Sequence, residues 1–310
     1  MRIGFIGKGG SGKTSISSAF ALFLAQNQEV LFIDADVNAH AHECFDMKPS
    51  KPLGENMELI SSYFVGKRVD ISAEQMIGTT PPNKNSIVIR DLKDNPFIES
   101  ISEKNGNISL ITVGTYTKED SGINCYHSKL MPLEMLLHHT IDKENDYIVM
   151  DATAGVDILG TSLFMAFDVL FFIIEPTKKS ISVLQTFMNQ CESKVVPILN
   201  KVKSENDIEF VKDQGIEPTI IIKESDPLRL FEQGHKEKFK QFRDENTQNF
   251  VSIQKEAKKT SRDYTAYYEK LLTIYRKSCE IWYNKYFETD IYKQTQIDSN
   301  FLKNIGDSNE

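Results

Sequence analysis

The sequence predicts an α/β fold, a mostly parallel sheet with helices on both faces, continued at its C-terminal end by a helical extension. Three observations carry this. The chain opens strand, Gly-rich turn, helix, strand; short apolar runs recur along it as far as residue 222; and beyond Gly234 such runs stop and Pro is absent.

Taken in order, Arg2–Ile6 reads as a strand and Lys13–Gln26 as a helix with Ile16, Ala19, Phe20, Phe23 and Leu24 on its apolar side. Glu29–Ile33 is the next strand, so the opening is a βαβ unit and implies parallel pairing. Ile108–Val113, Tyr147–Met150, Val169–Ile174, Lys194–Leu199 and Pro218–Ile222 are further strands. They are near-continuously apolar, as strands covered on both faces must be. Leu130–Ile141, Ser180–Cys191 and Asp207–Gln214 have helical spacing. Met47–Asn107 carries turn signals at Pro49, Pro52, Pro81–Pro82, Asn95–Pro96 and Asn105–Gly106, and reads as an elaboration of the same domain.

In the last part, Phe250, Ala257, Tyr264 and Leu271 fall seven apart, and Ile253, Thr260, Tyr267, Ile274 and Ile281 follow three residues later. That spacing predicts one long helix with a continuous apolar stripe, broadened by Tyr268, Tyr275, Trp282, Tyr283 and Tyr286. Packing on the chain's own sheet is its expected use. A partner-binding arm and a membrane-surface helix are the alternatives, though Glu256, Asp263, Glu269 and Glu280 dilute the basic face the latter needs. Thr295–Glu310 reads as frayed.

Composition excludes several classes. The 310 residues are 40% hydrophobic, with 36 Lys and Arg against 44 Asp and Glu, a net charge of −8. That balance argues against nucleic-acid binding through bulk charge. No apolar run approaches the roughly 18–20 residues that span a bilayer. Gly and Lys interrupt Met1–Val30 where a secretory signal would be apolar. Cys44, Cys125, Cys191 and Cys279 are scattered, so a reducing cytoplasm is the expected setting.

Gly7-Lys8-Gly9-Gly10-Ser11-Gly12-Lys13-Thr14 fits GxxxxGK[ST], placed after a strand and opening a helix. Glycines let the backbone curl so that successive N–H groups face a phosphate, and the helix N-terminus adds partial positive charge. Lys13 can neutralise phosphate oxygens and the Thr14 hydroxyl can hold Mg²⁺. Leu31–Asp36 is an apolar strand ending in Asp34 and Asp36, and Tyr147–Asp151 is a second strand ending in a carboxylate. Carboxylates at strand C-terminal ends face the crevice where open α/β sheets bind ligands. For Asp36 a local capping role is the alternative reading, and for Asn200 the capping of a strand end.

With its second lysine, the loop resembles the deviant Walker A motif of the ATPase class that includes the MinD and ParA positioning and partition ATPases and the nitrogenase iron protein. The resemblance implies ATP and Mg²⁺ as ligands and an ATP-bound homodimer, with Lys8 reaching the partner's nucleotide. It assigns catalysis to Lys8, Lys13 and Asp36, with Asp36 orienting the attacking water. Nucleotide contacts fall to Gly7, Lys8, Gly9, Gly10, Ser11, Gly12, Lys13, Thr14 and Ser15, to Gly155 as the γ-phosphate sensor of Asp-x-x-x-Gly, and to Asn200 as the adenine partner. Thr14, Asp36 and Asp151 are the expected Mg²⁺ residues, and Asp34 a structural or Mg²⁺-proximal one.

Over about residues 2–235 the sharper resemblance is to the CooC-type carbon monoxide dehydrogenase maturation ATPases, which assist nickel insertion. Asp34-Ala35-Asp36-Val37-Asn38, the stretch Asp151–Gly160 and the stretch Asp168–Ser180 carry it. It implies a P-loop ATPase domain at 1–235, an aromatic-rich helical extension at 236–310, and a client metalloenzyme. The sequence departs at that family's Cys-x-Cys, where Cys125-Tyr126-His127 stands instead. Thiolate and imidazole both suit Ni²⁺ or Zn²⁺, and two pairs across a two-fold axis would make four ligands. A buried Cys beside a surface His is the other reading. Thr153 and Ile158 replace the family's Glu and His. His138 and His139 are expected at the surface, with a third metal ligand as the alternative. A positioning ATPase that binds a partner or surface through the extension is the competing function.

Overall fold

The computed structural model describes residues 1–118, 120, 125–143 and 145–306. Among them eight strands form one sheet: β1 (Arg2–Gly7), β2 (Val30–Asp34), β3 (Glu103–Asn105), β4 (Ile108–Thr112), β5 (Tyr147–Ala154), β6 (Val169–Ile174), β7 (Val195–Val202) and β8 (Ile220–Lys223). Their spatial order is β3-β4-β2-β5-β1-β6-β7-β8. All pairs are parallel except β3–β4, a hairpin turning at Gly106-Asn107. β3 is an exposed, charged edge, which discourages further strand pairing.

The α-helices are α1 (Lys13–Leu24), α2 (Ala41–Cys44), α3 (Met57–Phe64), α4 (Pro96–Ile101), α5 (Tyr126–His138), α6 (Lys178–Gln190), α7 (Glu205–Asp213), α8 (Asp226–Glu232), α9 (Lys238–Glu245), α10 (Thr247–Ala257), α11 (Tyr264–Ser278), α12 (Asn284–Tyr286), α13 (Ile291–Gln294) and α14 (Ser299–Asn304). Caps explain several starts. Asn95 accepts from the Phe97 and Ile98 amides, Thr177 from Ser180, and Ser225 from Leu228.

The strands alternate strictly between two cores. In β6, Val169, Phe171 and Ile173 face one and Leu170, Phe172 and Ile174 the other; β2 divides likewise into Val30, Phe32 and Leu31, Ile33. The first core is covered by α1, α9 and α10, the second by α3, α4, α5 and α6. Phe250 of α10 packs on Phe20 of α1, which packs on Phe5 of β1. Fully buried, Phe250 contributes about 2–3 kcal/mol of apolar transfer.

The single long helix expected after Gly234 is corrected. The chain breaks at Lys258–Asp263, and a π-helical turn at Cys279–Tyr283 follows α11. One cause is local and the other comes from distant carboxylates. Asp263 accepts from the Ala266 amide and starts a new helix, while Arg262 leaves the helical path to pair with Asp142 and Asp168. The stripe therefore serves different places: Phe250, Ile253 and Ala257 enter the first sheet core, Tyr267, Tyr268 and Leu271 a satellite core with Leu302 and Ile305, and Tyr275 and Cys279 the second sheet core. The fraying expected over Thr295–Glu310 is corrected for 299–304, where α14 is capped by Asp298 and buries Leu302; residues 307–310 lie outside the described residues. No helix among the described residues is long and apolar enough to cross a membrane.

Candidate functional site

β1 lies between β5 and β6, so the loop leaving its C-terminal end sits at the centre of the sheet's carboxyl edge. Gly12 has φ +96°, and a Cβ there would lie 2.4 Å from Asn200 Nδ2. At Gly7 (φ +147°) a Cβ would lie 2.5 Å from the Ile173 carbonyl. Only glycine fits either place. The Ser11 amide donates to the Lys8 carbonyl at 3.1 Å, closing a turn whose exposed tip carries Lys8, Gly9 and Gly10. Thr14 and Ser15 begin α1, half-buried.

Parallel register places Asp34 of β2 opposite Asp151 of β5, and Asp151 opposite Phe5 of β1. Thr14 Oγ1 donates to Asp151 Oδ2 at 2.5 Å. Lys13 Nζ, nearly buried, lies 3.6 Å from Asp36 Oδ2. Asp36 Oδ1 is preset by the Asn38 amide at 3.0 Å and the Asn38 side chain at 2.9 Å. Asp34 accepts from the Ala41 amide at 3.0 Å and the Asp36 amide at 3.3 Å, so it shapes the turn that carries Asp36. The Gly155 amide donates to the Gly7 carbonyl at 2.9 Å, tying the segment after β5 to the loop.

Three carboxylates thus converge beside one lysine. Burial pushes the Asp151 carboxyl well above the usual range, and neighbouring Asp34 adds to this. Asp34 is pushed up to about 7, by burial more than its two backbone hydrogen bonds offset. Ser11 Oγ and Asp151 Oδ1 are buried with no hydrogen-bond partner. Buried polar atoms are rarely left so, and these two suit a phosphate–cation ligand. The donor set, hydroxyl and carboxylate oxygens, is that of Mg²⁺.

Asn200 Nδ2 donates to the Ser11 carbonyl at 2.7 Å. Its neighbour Lys201 reaches the Gly10 carbonyl and pairs with Glu175. The only sequence signal of this pair is a Glu just beyond one strand and a Lys near the end of its neighbour.

Exposed Cys125 Sγ and half-buried His127 Nδ1 lie 2.9 Å apart at the N-terminus of α5. His127 Nε2 donates to the Asp157 carbonyl at 3.1 Å, within the segment after Gly155. The His127 amide and imidazole hold the Cys125 thiol below its ordinary pKa. Burial opposes protonation of His127, but its bonds to Cys125 and Asp157 outweigh this and raise it. Gly122–Asn124, which precede the pair, lie outside the described residues. Among the described residues no third His, Cys, Asp or Glu joins Cys125 and His127 in a metal-ligand group.

His138 and His139 correct the surface expectation, since both are fully buried. His138 Nδ1 accepts from the Tyr267 hydroxyl at 2.5 Å, while Nε2 donates to Ser162 Oγ at 2.7 Å, which donates on to Glu134. Burial drives both imidazoles toward the neutral form. They are spoken for by packing and are no ligands for a pair at Cys125 and His127.

Residues 5–203 match the AAA_31 family, an AAA domain. An uncharacterized ATP-binding protein of Methanocaldococcus jannaschii is 31% identical over 69% of this chain and 79% of its own length. The carbon monoxide dehydrogenase accessory protein CooC of Rhodospirillum rubrum is 25% identical over 69% of this chain and 80% of its own. Among solved structures, the cell division ATPase MinD of Pyrococcus furiosus shares the fold at a TM-score of 0.53 and 16% identity, over 83% of this chain and 99% of that one. The chain belongs to the AAA_31 family of P-loop ATPases; it is similar in sequence to CooC and shares its fold with MinD and ParA structures.

Proposed function

We propose that the protein is a Mg²⁺-dependent ATPase switch of the cytoplasm. In this reading it forms a homodimer on binding ATP and serves metal insertion, with nickel as cargo, or metallocofactor maturation in a client metalloenzyme. Residues 1–235 are then the ATPase domain and 236–310 an extension wrapped on it. The observation that carries the reading is the Cys125–His127 pair, hydrogen-bonded through His127 to the segment after Gly155. Kinship with a carbon monoxide dehydrogenase accessory protein supports it.

In this reading Gly7, Gly9, Gly10, Ser11, Gly12 and Ser15 line the phosphates, Lys13 neutralises them, and Asn200 turns its Oδ1 to adenine. Thr14, Asp36 and Asp151 hold Mg²⁺ and its waters, and Mg²⁺ supplies charge neutralisation on the phosphates. Asp36, fixed by Asn38, orients the attacking water. Gly155 senses the γ-phosphate, and Lys8 crosses to the partner's nucleotide. Cys125 and His127 from two protomers give one four-ligand site.

Metal content of protein purified without tags or chelators tests this. With ATP, about one Ni²⁺ or Zn²⁺ per two chains is expected, lost in Cys125→Ser/His127→Ala with ATP hydrolysis retained. Equal metal in wild type and double variant overturns the metal role.

A second reading, a positioning ATPase using the extension, is favoured by one observation. Ile281, Trp282 and Tyr286 are 62%, 71% and 77% exposed around the π-helical turn. ATP-dependent sedimentation with anionic phospholipid vesicles, lost in Trp282→Ser/Tyr286→Ser, would support it; indifference to vesicles and to duplex DNA would remove it.

A further inference from the structure

Two consecutive residues at the end of β7 hold two consecutive carbonyls of the phosphate loop. Asn200 Nδ2 donates to Ser11 O at 2.7 Å and Lys201 Nζ to Gly10 O at 2.7 Å. Lys201 Nζ also pairs with Glu175 Oε1 at 2.6 Å, directly beyond β6. Since β1, β6 and β7 are neighbours, Glu175 and Lys201 converge on the loop that leaves β1.

The backbone gives an independent sign. Lys201 has φ +59°, the left-handed region that a residue with a Cβ rarely adopts, and the β7–β8 register shifts between Leu199 and Val202. Gly or Asn would fit this bend better. A strained residue at a strand irregularity points to a use for its side chain, and here that side chain ends on the phosphate loop.

Peptide planarity says what the grip does. In a trans peptide the carbonyl of one residue and the N–H of the next point opposite ways, so fixing one aims the other. Holding Gly10 O aims the Ser11 N–H, which closes on Lys8 O at 3.1 Å. Holding Ser11 O turns the Gly12 N–H away from Asn200. We propose that Lys201, braced by Glu175, is a positioning residue that sets the phosphate loop's shape before nucleotide arrives. This rests on the assignment of Gly7–Thr14 as the nucleotide cradle.

The test compares wild type with Lys201→Met, Lys201→Gly, Glu175→Gln and, as a control on the cradle, Lys13→Ala. It reads hydrogen exchange of the Gly7–Thr14 peptide without nucleotide, the calorimetric Kd for ATP, and Tm. Lys201→Met and Lys201→Gly should speed exchange in that peptide and weaken ATP binding by roughly tenfold, the loss of one charge-assisted hydrogen bond. Glu175→Gln should fall between. Lys201→Gly should do this without lowering Tm, because it relieves the left-handed strain, a split that a merely structural role would not produce. Unchanged exchange and Kd in Lys201→Gly overturn the proposal while Lys13→Ala still loses ATP. If Lys13→Ala binds ATP like wild type, the cradle assignment is what fails, and the exchange measurement alone decides the latch.

Discussion

Two of the buried ionic clusters among the described residues are built in opposite ways. At the carboxyl edge of the sheet, Asp34, Asp36 and Asp151 crowd around Lys13, and Asp151 Oδ1 and Ser11 Oγ have no partner. At the opposite end of β1, Asp142 receives the Met1 ammonium at 2.7 Å, Arg2 Nε at 2.7 Å and Arg262 at 3.1 Å, while Asp168 takes Arg262 at 2.9 Å and the Arg2 amide at 2.7 Å. Burial alone would raise the Asp142 pKa, but Arg2, Arg262 and the N-terminus together force it well below the ordinary carboxylate range. Asp151, fully buried, moves the other way. The satisfied cluster fastens the extension to the start of the chain. The unsatisfied one is left open for a ligand.

The largest expected effect lies in the open cluster. Lys13→Ala removes its cation and the phosphate contact together, and ATP turnover should fall by roughly 10²–10³-fold. A steady-state phosphate-release assay checks this; turnover within threefold of wild type would break the functional half of the comparison.

The closed cluster is tested by stability. Asp142→Asn leaves Arg2, whose side chain is fully buried, and Arg262 facing a neutral amide. Breaking a buried pair from one side costs about 3–5 kcal/mol. The urea midpoint should drop accordingly with the slope unchanged, and a loss under about 1 kcal/mol would show that the clamp is not a fastening.

The buried histidines add a pH signature. His139 is pushed down to about 3 by burial, against roughly 6.5 unfolded. Below 6.5 the unfolded chain binds a proton that the folded one refuses, so this stability is complete above about 6.5 and drains as pH falls toward 3. Between pH 6.5 and 5 it amounts to about 2 kcal/mol for this imidazole. Urea unfolding at pH 7.5 and 5 should show it, and His139→Phe, which keeps a ring against Phe64, should shrink the difference.

What was legible in the sequence follows from range. Seven of the eight strands show because each is a local apolar run, and Val169–Ile174 coincides with β6 residue for residue, whereas the exposed, charged β3 gives no such signal. The Gly7–Thr14 loop shows because its chemistry is contiguous. The helix break at Lys258–Asp263 was hidden because the seven-residue stripe continues in register across it, while Arg262 is drawn out by carboxylates 120 and 94 residues away. His138 looked like a surface residue because its partners, Ser162 and Tyr267, lie 24 and 129 residues off. The Glu175–Lys201 pair left only a faint signal for the same reason, its members being 26 residues apart. Tertiary partners decide polar residues; neighbours in sequence decide strands and phosphate loops.

The smallest effect is the sharpest separator of the two clusters. Asp151→Asn makes the same carboxylate-to-amide change as Asp142→Asn, at a site that is fully buried. Here, however, the charge is opposed by burial and by Asp34, with Lys13 and the Thr14 hydroxyl compensating only in part. Neutralising it relieves a penalty instead of stranding a partner, and the amide can still accept from Thr14 Oγ1. The nucleotide-free protein should therefore gain about 1 kcal/mol, while Mg²⁺-dependent tightening of ATP binding is lost. Urea unfolding without nucleotide, run beside Asp142→Asn, gives the two signs directly. If both variants lose stability, Asp151 is held by partners as Asp142 is, and its place in an open, ligand-seeking cluster is wrong.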